Sequence, residues 1–262
     1  MPSWNLGQWI VAIFVGTLYV LNASHKTALA AEPAVSKVIR VAIYADEGAS
    51  KNGSPHVQKC LPAEAGFEVK TVTAEDIRNG ALDKFDVLIQ PGGSGSKQGK
   101  TLGEEGRKRI KQFVTDGGGF IGICAGAYLA SAQYPWSLGL LDAQVIDGEH
   151  WARGNGEVEL RISLTGRSAL AIEEEHCPIY YNQGPLLGPG GKQDIEDYEL
   201  LASFDSEVTK KGAPAGVMKG TAAIARGKFG KGRVECFSPH PEKTPGREGF
   251  LQGAVRWVAH RD

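Results

Sequence analysis

Two short segments hold residue types that together could do nucleophilic chemistry. The first is Gly122-Ile123-Cys124-Ala125-Gly126, which follows the apolar run Phe120 to Ile123 and precedes the small-residue stretch Ala125 to Ala132. A cysteine flanked by glycines between a strand and a helix has the form of a nucleophile elbow with sulfur in place of oxygen. The bend keeps the thiol clear of its neighbours. The helix N-terminus ahead of it favours thiolate, and the Ala125 N–H stands where an oxyanion would form.

The second segment is Ser238-Pro239-His240-Pro241-Glu242, near the far end of the chain. Two prolines hold it extended. His240 and Glu242 then point the same way, so that the carboxylate orients the imidazole. Cys124, His240 and Glu242 make a nucleophile, a base and an orienter. A packing cysteine and a loop histidine are the bland alternatives, and the coincidence of the two motifs argues against both.

These segments need a scaffold. Val38 to Tyr44, Phe67 to Val72, Phe85 to Gln90 and Phe120 to Ile123 are short β-branched or apolar runs, each ending in polar or glycine-rich sequence, as buried parallel strands do. Between them the spacing predicts helices over about 55–65 and 104–115, with a short one opening at Thr73-Ala74-Glu75-Asp76. Alternation at this spacing implies an α/β fold, a three-layer sandwich around a mostly parallel sheet. Residues 157–164 alternate apolar and polar as a half-exposed strand, 221–237 read as a hairpin, and Phe250 to Val258 carry a helical stripe. No linker or repeat divides 36–262, which reads as one domain.

In the 262 residues, 29 Lys and Arg face 30 Asp and Glu, for a formal charge of −1. That excludes a nucleic-acid binder working through bulk positive charge and also an acidic disordered chain. Trp9 to Leu21 is uncharged and is followed by Ala28-Leu29-Ala30. The run is short for a bilayer and suits a signal peptide over 1–30, with an uncleaved N-terminal anchor as the alternative. A periplasmic or extracellular location follows from it, with no membrane contact beyond that anchor. Cys60, Cys124, Cys177 and Cys236 could form two bridges, but a catalytic Cys124 leaves at least one of the others unpaired.

The strand–GIGICAGA–helix stretch and the C-terminal CFSPHPE resemble the class I glutamine amidotransferase superfamily, flavodoxin-like domains with a Cys-His-Glu triad. The resemblance extends to Gln90-Pro91-Gly92-Gly93 and implies that Gly93, with Gly92 beside it, joins Ala125 as the oxyanion hole. Within the superfamily, Ile43 to Gly48, Gly126-Ala127-Tyr128 and Tyr180-Tyr181-Asn182-Gln183-Gly184-Pro185 are similar to the domain at the N-terminus of biotin-protein ligase. By that likeness Gly92, Tyr128, Tyr181 and Gln183 are expected to bind substrate.

Glutaminases of the superfamily carry Gln four residues after the nucleophile, and here Tyr128 stands there. The 262 residues show no synthase or ligase catalytic segment, so neither ammonia delivery nor biotin transfer is expected of them. The expectation is an exported cysteine hydrolase or amidohydrolase acting on a small amide, without metal or cofactor. The alternative is a binding or sensory module of the same fold. Gly95 to Thr101 approaches a phosphate-binding loop, but Ser94 occupies the place of its first glycine. Glu149-His150 and Glu173-Glu174-Glu175-His176-Cys177 read as solvated charge rather than a metal site. Tyr128, Tyr134, Trp136, Trp151, Tyr180 and Tyr181 are candidates to line a pocket.

Overall fold

A computed structural model describes residues 1–2 and 38–261. The expected signal segment lies outside the described residues. Among those described, no helix is long and apolar enough to cross a membrane.

The half of the sheet nearest the chemistry is parallel. β1 (Ile39–Tyr44) lies between β2 (Phe67–Val72) and β3 (Val87–Gln90), and β4 (Gly119–Ile123) lies between β3 and β11 (Gly232–Phe237). The side chains of β3 and β4 are buried throughout, which is why these strands read as apolar runs up to Gln90 at the end of β3. Two core clusters cover the two faces. Ile43, Ile89, Ile121 and Phe237 belong to one, and Ala42, Leu88, Phe120 and Cys236 to the other. The strand parity thus separates neighbours in sequence onto opposite faces.

Beyond β11 the pairing turns antiparallel, through β10 (Ala222–Phe229), β9 (Glu199–Phe204), β6 (Asn155–Ile162) and the edge strand β7 (His176–Asn182). β5 (Ala143–Ile146) pairs with β8 (Leu186–Pro189), which reaches β10. The β10–β11 hairpin and β6 match the sequence expectation. Leu164, expected to end β6, instead opens α5 (Leu164–Leu170) with its side chain in water.

The helices refine the expectation in two places. The segment expected to be one helix over 55–65 is α1 (Gly53–Cys60) followed by a separate 3-10 turn at Ala63–Ala65, with Pro62 between them. The helix expected over 104–115 starts earlier, within the glycine-rich stretch after β3. α3 (Gly95–Thr115) begins inside it, capped by the Ser94 side chain accepting from Lys97 N–H, and kinks at Gly103. The residues that approached a phosphate-binding pattern are therefore helical. α2 (Ala74–Arg78) starts as expected, with Thr73 and Asp76 forming a reciprocal capping box. α4 (Ala125–Ala130) follows β4, and α6 (Glu248–Val258) packs its apolar stripe on the sheet.

Candidate functional site

Cys124 sits between β4 and α4 with φ 51° and ψ −100°, a left-handed conformation uncommon for a residue with a side chain. Its N–H donates to Phe237 O at 2.7 Å, so the parallel neighbour β11 holds the bend in place. Gly126 must be glycine, because a Cβ there would run into the Gln90 carbonyl of β3. The expected elbow is present, and the glycines beside the cysteine serve close packing of α4 against the sheet.

His240 follows β11, the strand alongside β4, and its own N–H donates to Tyr180 O at 2.8 Å. Its ring is buried. Nδ1 lies 2.6 Å from Glu242 Oε1, while Nε2, with no partner of full hydrogen-bond geometry among the described residues, has the Cys124 sulfur as its polar neighbour. The pair forms differently from the extended segment expected. Pro241–Lys243 is a 3-10 turn with proline at its first position, and the turn folds the carboxylate back to the ring. Thr244 Oγ1 donates to His240 O and accepts from Tyr180 N–H, tying the turn to β7.

Cysteine and histidine face the same space. A Cβ on Gly92 would stand 3.6 Å from Cys124 Cβ and 2.9 Å from His240 Cε1, so both side chains close around that glycine. They line one cavity of about 420 Å3, together with Gly92, Gly93, Tyr128 and Gln183. The thiol's own hydrogen bond runs to Asn182 O at 3.4 Å. Burial alone would lower the His240 pKa. The neighbouring Cys124 sulfur and the Glu242 carboxylate outweigh it and raise the value to about 9.

Gly93 belongs to a loop clasped by two backbone bonds, Ser50 N–H to Gly92 O and Ser94 N–H to Gly48 O, both 2.8 Å. Its φ is 145°, and a Cβ would collide with Gly48 O, so the position admits only glycine. Ala125 opens α4 directly after Cys124 and is buried. Tyr128 projects from α4 into the cavity, its hydroxyl donating to Gln183 O at 3.3 Å, and burial pushes its pKa well up.

Tyr181 is the expected substrate residue that the structure places elsewhere. It is fully buried behind the cavity wall, edge-on to Phe204, with its hydroxyl donating to Gly184 O at 2.8 Å. Side chains alternate along β7, so Asn182 lines the cavity and Tyr181 faces the core. Tyr180 lies beside the His240 ring, at 5.9 Å between centroids. The sequence reading also missed Ser50 and Lys243, which line the cavity from the loop after β1 and the turn after β11. Their hydroxyl and amine side chains carried no local pattern that marked them.

All four cysteines are free. Burial pushes the Cys60 thiol up to about 12, with Glu242 and Glu248 adding to it, and raises Cys177 and Cys236 as well. Among the described residues, no group of three His, Cys, Asp or Glu could hold a metal ion. Glu175 and His176 instead meet Arg161 and Asp205.

Comparison with known proteins bears on the fold. Residues 39–151 match the family model for the N-terminal region of biotin-protein ligase, a span that contains Gly92, Gly93 and Cys124 and ends before His240. The chain is 26% identical over 217 residues to an uncharacterized protein of Chlamydia muridarum, covering 79% of this chain and 81% of that one. It is 25% identical over 176 residues to the biotin–protein ligase of Schizosaccharomyces pombe, covering 60% of this chain but only 25% of the ligase. Among solved structures, PurLQS from Thermotoga maritima matches with a TM-score of 0.58 at 19% identity, over 85% of this chain and 98% of that one. A ThuA-like protein of Parabacteroides merdae matches with a TM-score of 0.59 at 13% identity, over 85% and 90%.

Proposed function

On the premise that this chain has the class I glutamine amidotransferase-like fold and resembles the biotin-protein ligase N-terminal domain over 39–151, we propose that it is an exported hydrolase of small amides, with Cys124 as nucleophile. One observation supports this above the others: a cysteine at a strained elbow and a histidine braced by a buried carboxylate line the same cavity. In the first step His240 takes the Cys124 thiol proton as the sulfur forms a bond to the carboxamide carbon, and the carbonyl π electrons move to oxygen. The N–H groups of Gly93 and Ala125 receive that oxyanion, each donor contributing on the order of 3 kcal/mol to lowering the barrier. As the C–N bond breaks, His240 protonates the departing nitrogen. Water then attacks the thioester carbon while His240 takes its proton, and as the C–S bond breaks His240 passes that proton to the sulfur, releasing the carboxylic acid and the free thiol. Glu242 holds the imidazole in place throughout.

Cys124→Ala is expected to abolish turnover in a panel of small amides while the fold is retained, and mass spectrometry of the wild type should trap an acyl group on Cys124. Undiminished turnover in the variant would refute the nucleophile. Export is part of the same proposal and is tested by N-terminal sequencing of the secreted protein, with cleavage expected after Ala30.

A binding module is the second reading. It is favoured by the thiol's hydrogen bond to Asn182 O. A ligand that protects Cys124 from alkylation without ever being turned over would favour it.

A further inference from the structure

The walls of the cavity carry information about what it holds. Tyr128, Tyr134, Trp136 and Trp151 all line it. Tyr134 and Trp136 stack face to face, 4.6 Å between centroids and 5° between planes. Trp151 lines the cavity with 55% of its surface left in water, a large exposed apolar face. It is not loosely held. The 3-10 turn Gly148–His150 that presents it is entered through Asp147 at φ 54°, and Asp147 is gripped by His150 Nδ1 at 2.5 Å and by the buried Arg153 Nη2 at 2.8 Å. A Cβ on Gly148 would come within 3.0 Å of the Tyr134 hydroxyl, so this glycine lets the turn close against the stacked pair.

Charge narrows the choice further. Among the described residues, no Asp or Glu lines the cavity, and Lys243 is its one cation besides His240. An ammonium group taken into such a site would lose water and gain no carboxylate. A flat ring would gain aromatic faces, and an anionic substituent would gain Lys243.

Resting on the hydrolase reading of the same cavity, we propose that its substrate class is a carboxamide borne on a flat ring, neutral or anionic, rather than a free amino-acid amide such as glutamine. Trp151 supplies the ring's contact and Lys243 selects the anionic members.

Binding to the Cys124→Ala protein tests this apart from turnover, with 4-carboxybenzamide, benzamide and L-glutamine as probes read by calorimetry. 4-Carboxybenzamide is expected to bind at least tenfold more tightly than glutamine. Trp151→Ala should weaken both benzamides about tenfold, and Lys243→Gln should weaken only the carboxylated one. Trp151 is half in solvent, so an unchanged melting curve is expected and separates lost binding from lost fold. Equal or tighter glutamine binding, no binding of either benzamide at millimolar concentration, or indifference to Trp151→Ala would overturn the proposal. Ring amides that bind but are never hydrolysed by the wild type would count against the hydrolase and leave the subsite standing. Glutamine hydrolysis without ring preference would do the reverse.

Discussion

His240 Nδ1 meets Glu242 Oε1 at 2.6 Å inside a single turn, with both side chains out of solvent. A carboxylate so placed fixes which imidazole nitrogen faces the cavity and stabilises the protonated ring. Glu242→Gln keeps the shape of the pair and removes the charge. The variant is expected to lose about 10²-fold or more in turnover. Its His240 titration, followed by NMR, should move down from about 9. A fall in turnover with an unmoved titration would separate the carboxylate's effect from the ring's charge.

Thiol reactivity should single out Cys124. All four cysteines are buried, but Cys124 lines the cavity, whereas Cys60, Cys177 and Cys236 do not and burial raises their pKa. Near neutral pH, iodoacetamide is expected to label Cys124 at least tenfold faster than the others, as peptide mapping against time will show. Comparable rates would remove the basis for a poised nucleophile.

Stability should fall as pH rises. Glu235, on β11 opposite Arg226, is fully buried, and burial lifts its pKa from 4.5 to about 8 despite Arg226, with Glu199 adding to the rise. His240 is raised from 6.5 to about 9. Each group binds its proton more tightly folded than unfolded. The stability it contributes is therefore complete below the unfolded value and is lost as pH climbs through the folded one: 4.5 to 8 for Glu235 and 6.5 to 9 for His240. Glu235→Gln removes the first window, and at pH 8 it should melt several degrees above the wild type, on the order of 2–3 kcal/mol. Parallel melting curves at pH 5 and pH 8 for both proteins would contradict this.

Backbone approach makes Gly126 irreplaceable. An added Cβ collides with Gln90 O on β3 and displaces α4, and the Cys124 bend with it. Gly126→Ala is expected to cost about 2–4 kcal/mol in denaturant unfolding. It should also slow alkylation of Cys124.

What was legible in the sequence was local. Gly122 to Gly126 and His240 to Glu242 each declare themselves within five residues, because an elbow needs small neighbours and an orienting carboxylate must be close along the chain. The central parallel strands declared themselves as well, since strands buried on both faces are apolar at nearly every position, as β3 and β4 are. The parity of β7, which sends Asn182 to the cavity and Tyr181 to the core, did not. Two adjacent polar-tipped residues look alike until the sheet assigns their faces. Nor did the antiparallel pairing of β5 with β8 and of β6 with β7 and β9, or the arrival of Ser50 and Lys243 at the cavity that Trp136 and Trp151 were expected to line. Ser50 and Lys243 come from segments nearly two hundred residues apart, each with an ordinary local sequence. Only closure of the sheet around the elbow brings them within reach of one ligand, because the contacts are long-range and leave no periodic trace along the chain.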